Sequence, residues 1–446
     1  MAVGSGRFLT GSTMGHVMRM TLTGSFGITF MFLVDAANLF WVSLLGIERL
    51  VAALGFAWTI QFFSVSFGIG MMIAVTASVS RFIGAGNMPE ARRQVTVCAI
   101  VAFMMQLLVA GTLFVFRREI LGFAGASGET LELAARYLAI TVPALPVMAL
   151  GMVGSAVLRA EGDAYRAMAV TFSSGVVSMI IDPLLIFGFG LGLDGAALAV
   201  VTARVLSALL SIYFVVGIHR LIAPVSLPDF RRLFWPFALI AGPAIITQLS
   251  TPFGNYVLTS IVAGFGDSAV AGWAVVARLT VLAFGGLFAL SGAISGIFGQ
   301  NYGARDYGRV EATYRDALIF CAVYSLVAWA LLAAATPAII SAFGLGGTAS
   351  DVIRAFTLIA AGGYLFNGAL FVANSAFNAL DRAYVATMFS WIRDGILLWP
   401  VAAFMAGFLA APGAIYGHAL SGIFAGVIAA FIGWRYVKSL GRPLTA

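Results

Sequence analysis

The sequence predicts an all-α membrane protein of twelve transmembrane helices, arranged as two pseudo-symmetric six-helix lobes related as parallel repeats. Three observations carry that prediction: composition, charge-free stretches of spanning length, and an internal repeat. Of the 446 residues, 61% are hydrophobic and 10% charged, with a mean hydropathy of +1.02, where a soluble chain is nearer half apolar and a quarter charged. Residues 51–80, 94–116, 233–266, 317–350 and 395–434 contain no Asp, Glu, Lys or Arg. A crossing takes about 20 apolar residues, so each stretch holds one span and the last holds two. Helix is the expected form, because lipid offers the backbone no hydrogen-bond partner. The alternating ten-residue segments of a membrane barrel are missing.

The spans read in order as 17–45, 51–80, 94–116, 134–158, 167–188, 195–218, 233–263, 268–298, 314–337, 351–378, 384–407 and 413–434. Sorting the 25 Lys and Arg between them puts 17 on one side and 3 (Arg49, Arg117, Arg118) on the other, with five inside spans. The positive-inside rule then sets both termini in the cytoplasm of a multi-pass protein of the plasma membrane, a bacterial inner membrane from its Arg-rich, Ala- and Gly-rich usage. The net charge of +7 orients the chain in a lipid bilayer and implies no nucleic-acid partner. Cys98 and Cys321 fall inside spans, and His16, His219 and His418 lie far apart, so neither residue type suggests a metal site. A monomer is expected.

The repeat has a fixed offset. Gly84-Ala85-Gly86-Asn87 returns as Gly303-Ala304-Arg305-Asp306, and Tyr165-Arg166-Ala167-Met168 faces Tyr384-Val385-Ala386-Thr387-Met388 at the identical separation. Asp182-Pro183 and Trp399-Pro400 match in depth, as do Gly195-Ala196-Ala197 and Gly413-Ala414-Ile415. Six spans per half is an even number, so both halves enter from the same side and a pseudo-two-fold axis runs along the membrane normal. The interface between the halves is the natural substrate site. The expected parts are a cytoplasmic segment 1–16, a lobe 17–218, a linker 219–232, a lobe 233–437 and a tail 438–446.

At this point the residues resemble a known family. Phe32-Leu33-Val34-Asp35, Leu45-Gly46 and Ala52-Ala53-Leu54-Gly55 are similar to the first helix and loop of multidrug and toxic compound extrusion (MATE) transporters. So are Arg159-Ala160-Glu161-Gly162-Asp163, Asp182-Pro183 and Gly299-Gln300-Asn301-Tyr302-Gly303-Ala304. The resemblance implies two six-helix lobes around a V-shaped cavity and cation-driven export of organic, cationic or amphipathic compounds. It also implies no enzyme activity and no cofactor beyond a coupling ion, H+ or Na+. Many members carry a first-helix proline; here the first proline is Pro89. One branch has acids in the seventh and tenth helices, where Thr251 and Asn367 stand here. The chain therefore looks like the branch whose coupling acid lies in the first lobe.

Reading the charges converges on the same lobe. An acid placed inside a span costs about 2.5–3.5 kcal/mol on insertion scales and marks a functional position by default. Asp35 and Asp182 are the candidates for cation coupling, and an ion pair with Arg204 is the structural alternative for Asp35. Pro183 removes a backbone donor and frees a carbonyl beside Asp182, and Ser178 lies one turn earlier on the same face. By resemblance Ser178 and Thr202 complete the site, with Ser178 replacing the family's common Asn. Arg393 and Asp394 are adjacent and expected to point different ways. Further cavity candidates are Asn38, Gln61, Asn255, Tyr256, Tyr364, Asn367, Asn374 and Asn378, the last three sharing a helix face. Glycine pairs such as Gly292/Gly296, Gly413/Gly417 and Gly422/Gly426 fit close helix packing, and no phosphate-binding loop is present to suggest direct ATP drive. The rival readings are a flippase for a lipid-linked saccharide and, more remotely, an intramembrane enzyme.

Overall fold

The computed structural model describes residues 6–344 and 346–441, apart from the side chains of Phe32, Asp35 and Glu48. Eleven continuous helical stretches of membrane-spanning length and polarity follow one another. They are α1 (Thr13–Ser43), α2 (Glu48–Gly84), α3 (Met88–Val115), α4 (Gly128–Glu161), α5 (Ala164–Gly188), α6 (Gly192–Ile218), α7 (Leu227–Ala263), α8 (Asp267–Gly303), α9 (Tyr307–Phe343), α10 (Gly347–Ala379) and a last stretch, Ala383–Leu440.

That last stretch is two crossings. At about 1.5 Å per residue its 58 residues would run roughly 87 Å, near twice the full thickness of a bilayer. Ala410 breaks it, with φ 54° and ψ −144°, two residues before Pro412. Beyond the break the chain doubles back: Gly413 packs on the Met405 carbonyl and Gly417 on the Ala402 backbone. The hairpin divides it into α11 (383–409) and α12 (411–440), so the described chain crosses twelve times.

Polar side chains start the helices where the sequence turns. Asn87 accepts from the Glu90 N–H at 3.3 Å to open α3, and Asp306 accepts from the Arg309 N–H at 3.0 Å to open α9. These two N-caps satisfy orphan donors of the first turn and occupy equivalent positions in the two halves, as the repeat requires. Asp163 and Ser226 cap α5 and α7 in the same way. Because α7 opens at Leu227, the stretch expected as linker, 219–232, ends as helix.

Helices α2 and α8 cross at the centre of the molecule, and α1 lies along α8 as well as α5. The crossing is two-fold. A Cβ on Gly84 would stand 1.9 Å from the Gln300 carbonyl oxygen, and one on Gly303 would stand 2.1 Å from that of Arg81. Each glycine thus meets the counterpart of the residue that meets its own counterpart. Only glycine permits that approach.

Candidate functional site

Asp182 stands near the end of α5, fully buried. Pro183 follows it, and the helix widens into a π-helical turn over Leu184–Gly188 that closes with the Phe189 N–H on the Leu184 carbonyl at 2.9 Å. Neither carboxylate oxygen has a hydrogen-bond partner among the described residues. Asn38 of α1 lies beside the carboxyl, yet its amide nitrogen is also without a partner. Ser178 is buried one turn before Asp182. Thr202 is exposed, and its hydroxyl bonds back to the Leu198 carbonyl at 2.9 Å. The Asp35 side chain lies outside the described residues. A buried carboxylate with no partner carries a desolvation cost of several kcal/mol if ionised.

The second lobe holds a different chemistry. Arg393 donates to both oxygens of Asp394, from Nε at 2.7 Å and Nη2 at 2.6 Å. The expectation that adjacent residues diverge fails here because both sit in a π-helical turn, Ile392–Leu397, and both are buried. A third bond from Arg393 Nη1 reaches Asn367 Oδ1 at 3.2 Å, and the guanidinium lies 5.9 Å from the Phe371 ring. The bidentate pair is internally neutral.

Beside it, Thr247, Gln248, Thr251, Asn374, Asn378 and Arg393 line a small polar cleft, closed on one side by Ile73 of the first lobe. Asn374 donates to Ser390 at 3.0 Å, while its Oδ1 and that of Asn378 have no partner. The expected asparagine stripe therefore splits: Asn374 and Asn378 face the cleft, and Asn367 stands behind, holding Arg393. Tyr364 stacks on Phe284 with ring centroids 4.2 Å apart. Gln61 donates to Thr141 at 3.1 Å and accepts from the Arg204 guanidinium in the first lobe. Asn255 and Tyr256 are exposed and do not line this cleft.

On one face of the molecule the two lobes are bonded to each other. Arg81 of α2 donates to the Ala379 carbonyl at 2.9 Å, and Gln300 of α8 donates to the Ala160 carbonyl at 2.6 Å. The repeat offset relates the two donors, and equally the two acceptors, so the two bonds form a pseudo-symmetric clasp. Arg81 also pairs with Asp381. The segment before α1 reinforces the clasp. Phe8, 2% exposed, wedges against Gly162 of the first lobe and Gly296 of the second, and its N–H donates to Gln300 Oε1 at 2.9 Å. Arg309 holds the carbonyls of Phe8 and Gly11. Sequence reasoning missed this strap, because residues before a first span carry no periodicity; the offset linking Arg81 to Gln300 was the available signal.

Comparison with known proteins places this arrangement. A family model described as MatE matches residues 24–184 and again 243–404, one copy in each half. The "FAD transporter" of Shewanella oneidensis is 27% identical over 402 residues, covering 89% of each chain. The "Multidrug export protein MepA" of Staphylococcus aureus is 23% identical over 408 residues, covering 90% of this chain and 89% of that one. Among solved structures, a mutant of the Vibrio cholerae MATE transporter VcmN superposes with a TM-score of 0.88 at 24% identity, over 96% of this chain and 97% of its own. The chain belongs to the MatE family and is a membrane transporter, as its resemblance to the multidrug and toxic compound extrusion proteins implied.

Proposed function

We propose that the chain is a secondary active exporter of organic, cationic or amphipathic compounds, driven by a proton or sodium gradient through alternating access of its two lobes. The observation that carries the reading is Asp182, a fully buried carboxylate whose two oxygens have no partner among the described residues. Its neighbours Ser178 and Asn38 and the first-helix acid Asp35 complete the coupling site on the first lobe. The second lobe, with Thr251 and Asn367 in place of acids and Arg393 neutralised by Asp394, contributes cavity and no second coupling charge. The relatives described as a FAD transporter and a multidrug export protein both handle organic molecules, which supports a cargo of that kind. The face that carries the clasp, the strap and most Lys and Arg is cytoplasmic on this reading, in a bacterial plasma membrane.

The test is efflux from vesicles under separate proton and sodium gradients. Asp182→Asn should lose gradient-driven efflux while still exchanging cargo across the membrane without a gradient. Unimpaired gradient-driven efflux by the variant would remove Asp182 from the coupling site.

A further inference from the structure

Arg159 lies on the last turn of α4 and leans inward. Side chains on a helix tilt toward its N-terminus, and α4 runs toward the clasp, so the guanidinium reaches back between the lobes. Its Nη1 is 3.1 Å from Met72 Sδ of α2 and 3.7 Å from where a Cβ on Gly292 of α8 would stand. Met72 and Gly292 are about three turns short of the ends of their helices. At about 1.5 Å per residue the charge is therefore roughly 17 Å inward along α2 and α8.

No carboxylate among the described residues pairs with it. The other arginines of this region behave differently. Arg81 and Arg309 saturate carbonyl oxygens, and Arg393 is matched by Asp394. Arg159 has a thioether.

The pseudo-symmetry relates this charge to the second-lobe cleft. The counterpart of Arg159 in the second half is Asn378, which lines the second-lobe cleft together with Ile73. Ile73 is in turn the counterpart of Gly292. Arg159 and Asn378 therefore flank the axis between the lobes, just inward of the clasp. Among the described residues two buried hydroxyls at this depth, Thr21 of α1 and Ser295 of α8, also lack partners. Gly24 packs on Ala289 and Thr29 on Gly285, so α1 and α8 run antiparallel and Thr21 is level with Gly292. A guanidinium is a donor set for an oxyanion, which it grips through two parallel N–H bonds.

We propose that Arg159 receives a carboxylate or phosphate group of the cargo at the floor of the inter-lobe path, which makes the exported compound an amphipathic organic anion. The inference rests on the transporter reading and fixes the charge of its cargo. When the clasp opens, Arg159 is the unmatched cation that cargo meets first.

The test uses the purified full chain in vesicles of phosphatidylcholine alone, so that no anionic headgroup competes for the guanidinium. Gradient-free exchange of carboxyfluorescein and 4-methylumbelliferyl phosphate is compared with that of rhodamine 6G, which separates binding from ion coupling. The wild type should exchange the two acids. Arg159→Gln should raise their KM about tenfold or more, the loss of a charge-assisted pair, with kcat and Tm little changed. Arg159→Lys, which keeps the charge without the fork, should fall between them and answers for the site if the glutamine variant does not fold. A wild type that exchanges rhodamine 6G alone overturns the proposal and leaves the exporter standing. So does a glutamine variant whose KM for the acids stays within twofold. Exchange of none of the three overturns both readings.

Discussion

Two aspartates show how differently this chain treats a carboxylate. Asp163 caps α5, takes a 2.5 Å bond from Arg166, and lies 3.1 Å from His219 Nε2 and 3.9 Å from Arg7. Burial opposes its ionisation, but the backbone and side-chain bonds from Arg166 and the charges of Arg166 and Arg7 hold its carboxyl below the usual carboxylate range. A depressed carboxyl stabilises the fold above its unfolded value of about 3.9, and that contribution is lost as pH falls through the lower folded value. Asp163→Asn should therefore lower Tm at neutral pH, and the gap to wild type should close below about pH 4. A gap that stays constant with pH would assign the effect to the cap alone. Asp182 has no such partners among the described residues, so Asp182→Asn should leave Tm unchanged or higher while gradient coupling is lost. For the Arg393–Asp394 pair, Asp394→Asn leaves a buried guanidinium uncompensated, at about 3–5 kcal/mol, and should depress Tm far more than replacing both residues by Met and Leu. Equal losses in the two variants would contradict the pairing.

At this scale the sequence was informative about which residues are unusual and weaker about where they point. Asp182 was legible because an acid inside an apolar span has few explanations. Arg159 was not: at the edge of a span it reads as one more interfacial cation, and only helix direction reveals that it leans inward. Asn255 and Tyr256 were equally plausible as cavity residues until their helix was rotated into place.

Elements were legible in number and order because spans and caps are local. Most of the breaks within them were not. The hairpin at Ala410 falls in the connection expected between spans 384–407 and 413–434, whereas the π-helical turns at Leu184–Gly188 and Ile392–Leu397 depend on packing across helices. The strap is the element with the clearest consequence. Phe8 and Gln300 tie the segment before α1 to both lobes, so Phe8→Ala with Gln300→Ala should loosen the closed face. Ser80 reports on this: it is fully buried and packs on Gly299 across the crossing. A cysteine at Ser80 should be labelled several-fold faster by a water-soluble maleimide in the strap variant than in an otherwise wild-type chain. Equal rates would mean that the strap does not hold the seam.

Over the whole molecule, twelve crossings and two related halves follow from composition and the fixed offset of the repeat, and the same offset reappears as contacts: glycine on carbonyl, side chain on carbonyl, Asn378 against Arg159. What separates the halves is charge. Among the described residues the first lobe has a carboxylate without a partner, the second a neutral ion pair and a polar cleft, and the region between them an arginine, Arg159, that no carboxylate pairs. Cargo and coupling ion then act on different groups of one two-state molecule, and their effects on each other are reciprocal. The most direct measurement counts the cations released when cargo binds to the purified protein, with proton and sodium followed separately. The account predicts release of one of the two by the wild type and of neither by Asp182→Asn, with cargo still bound. Release that persists in the variant would contradict it.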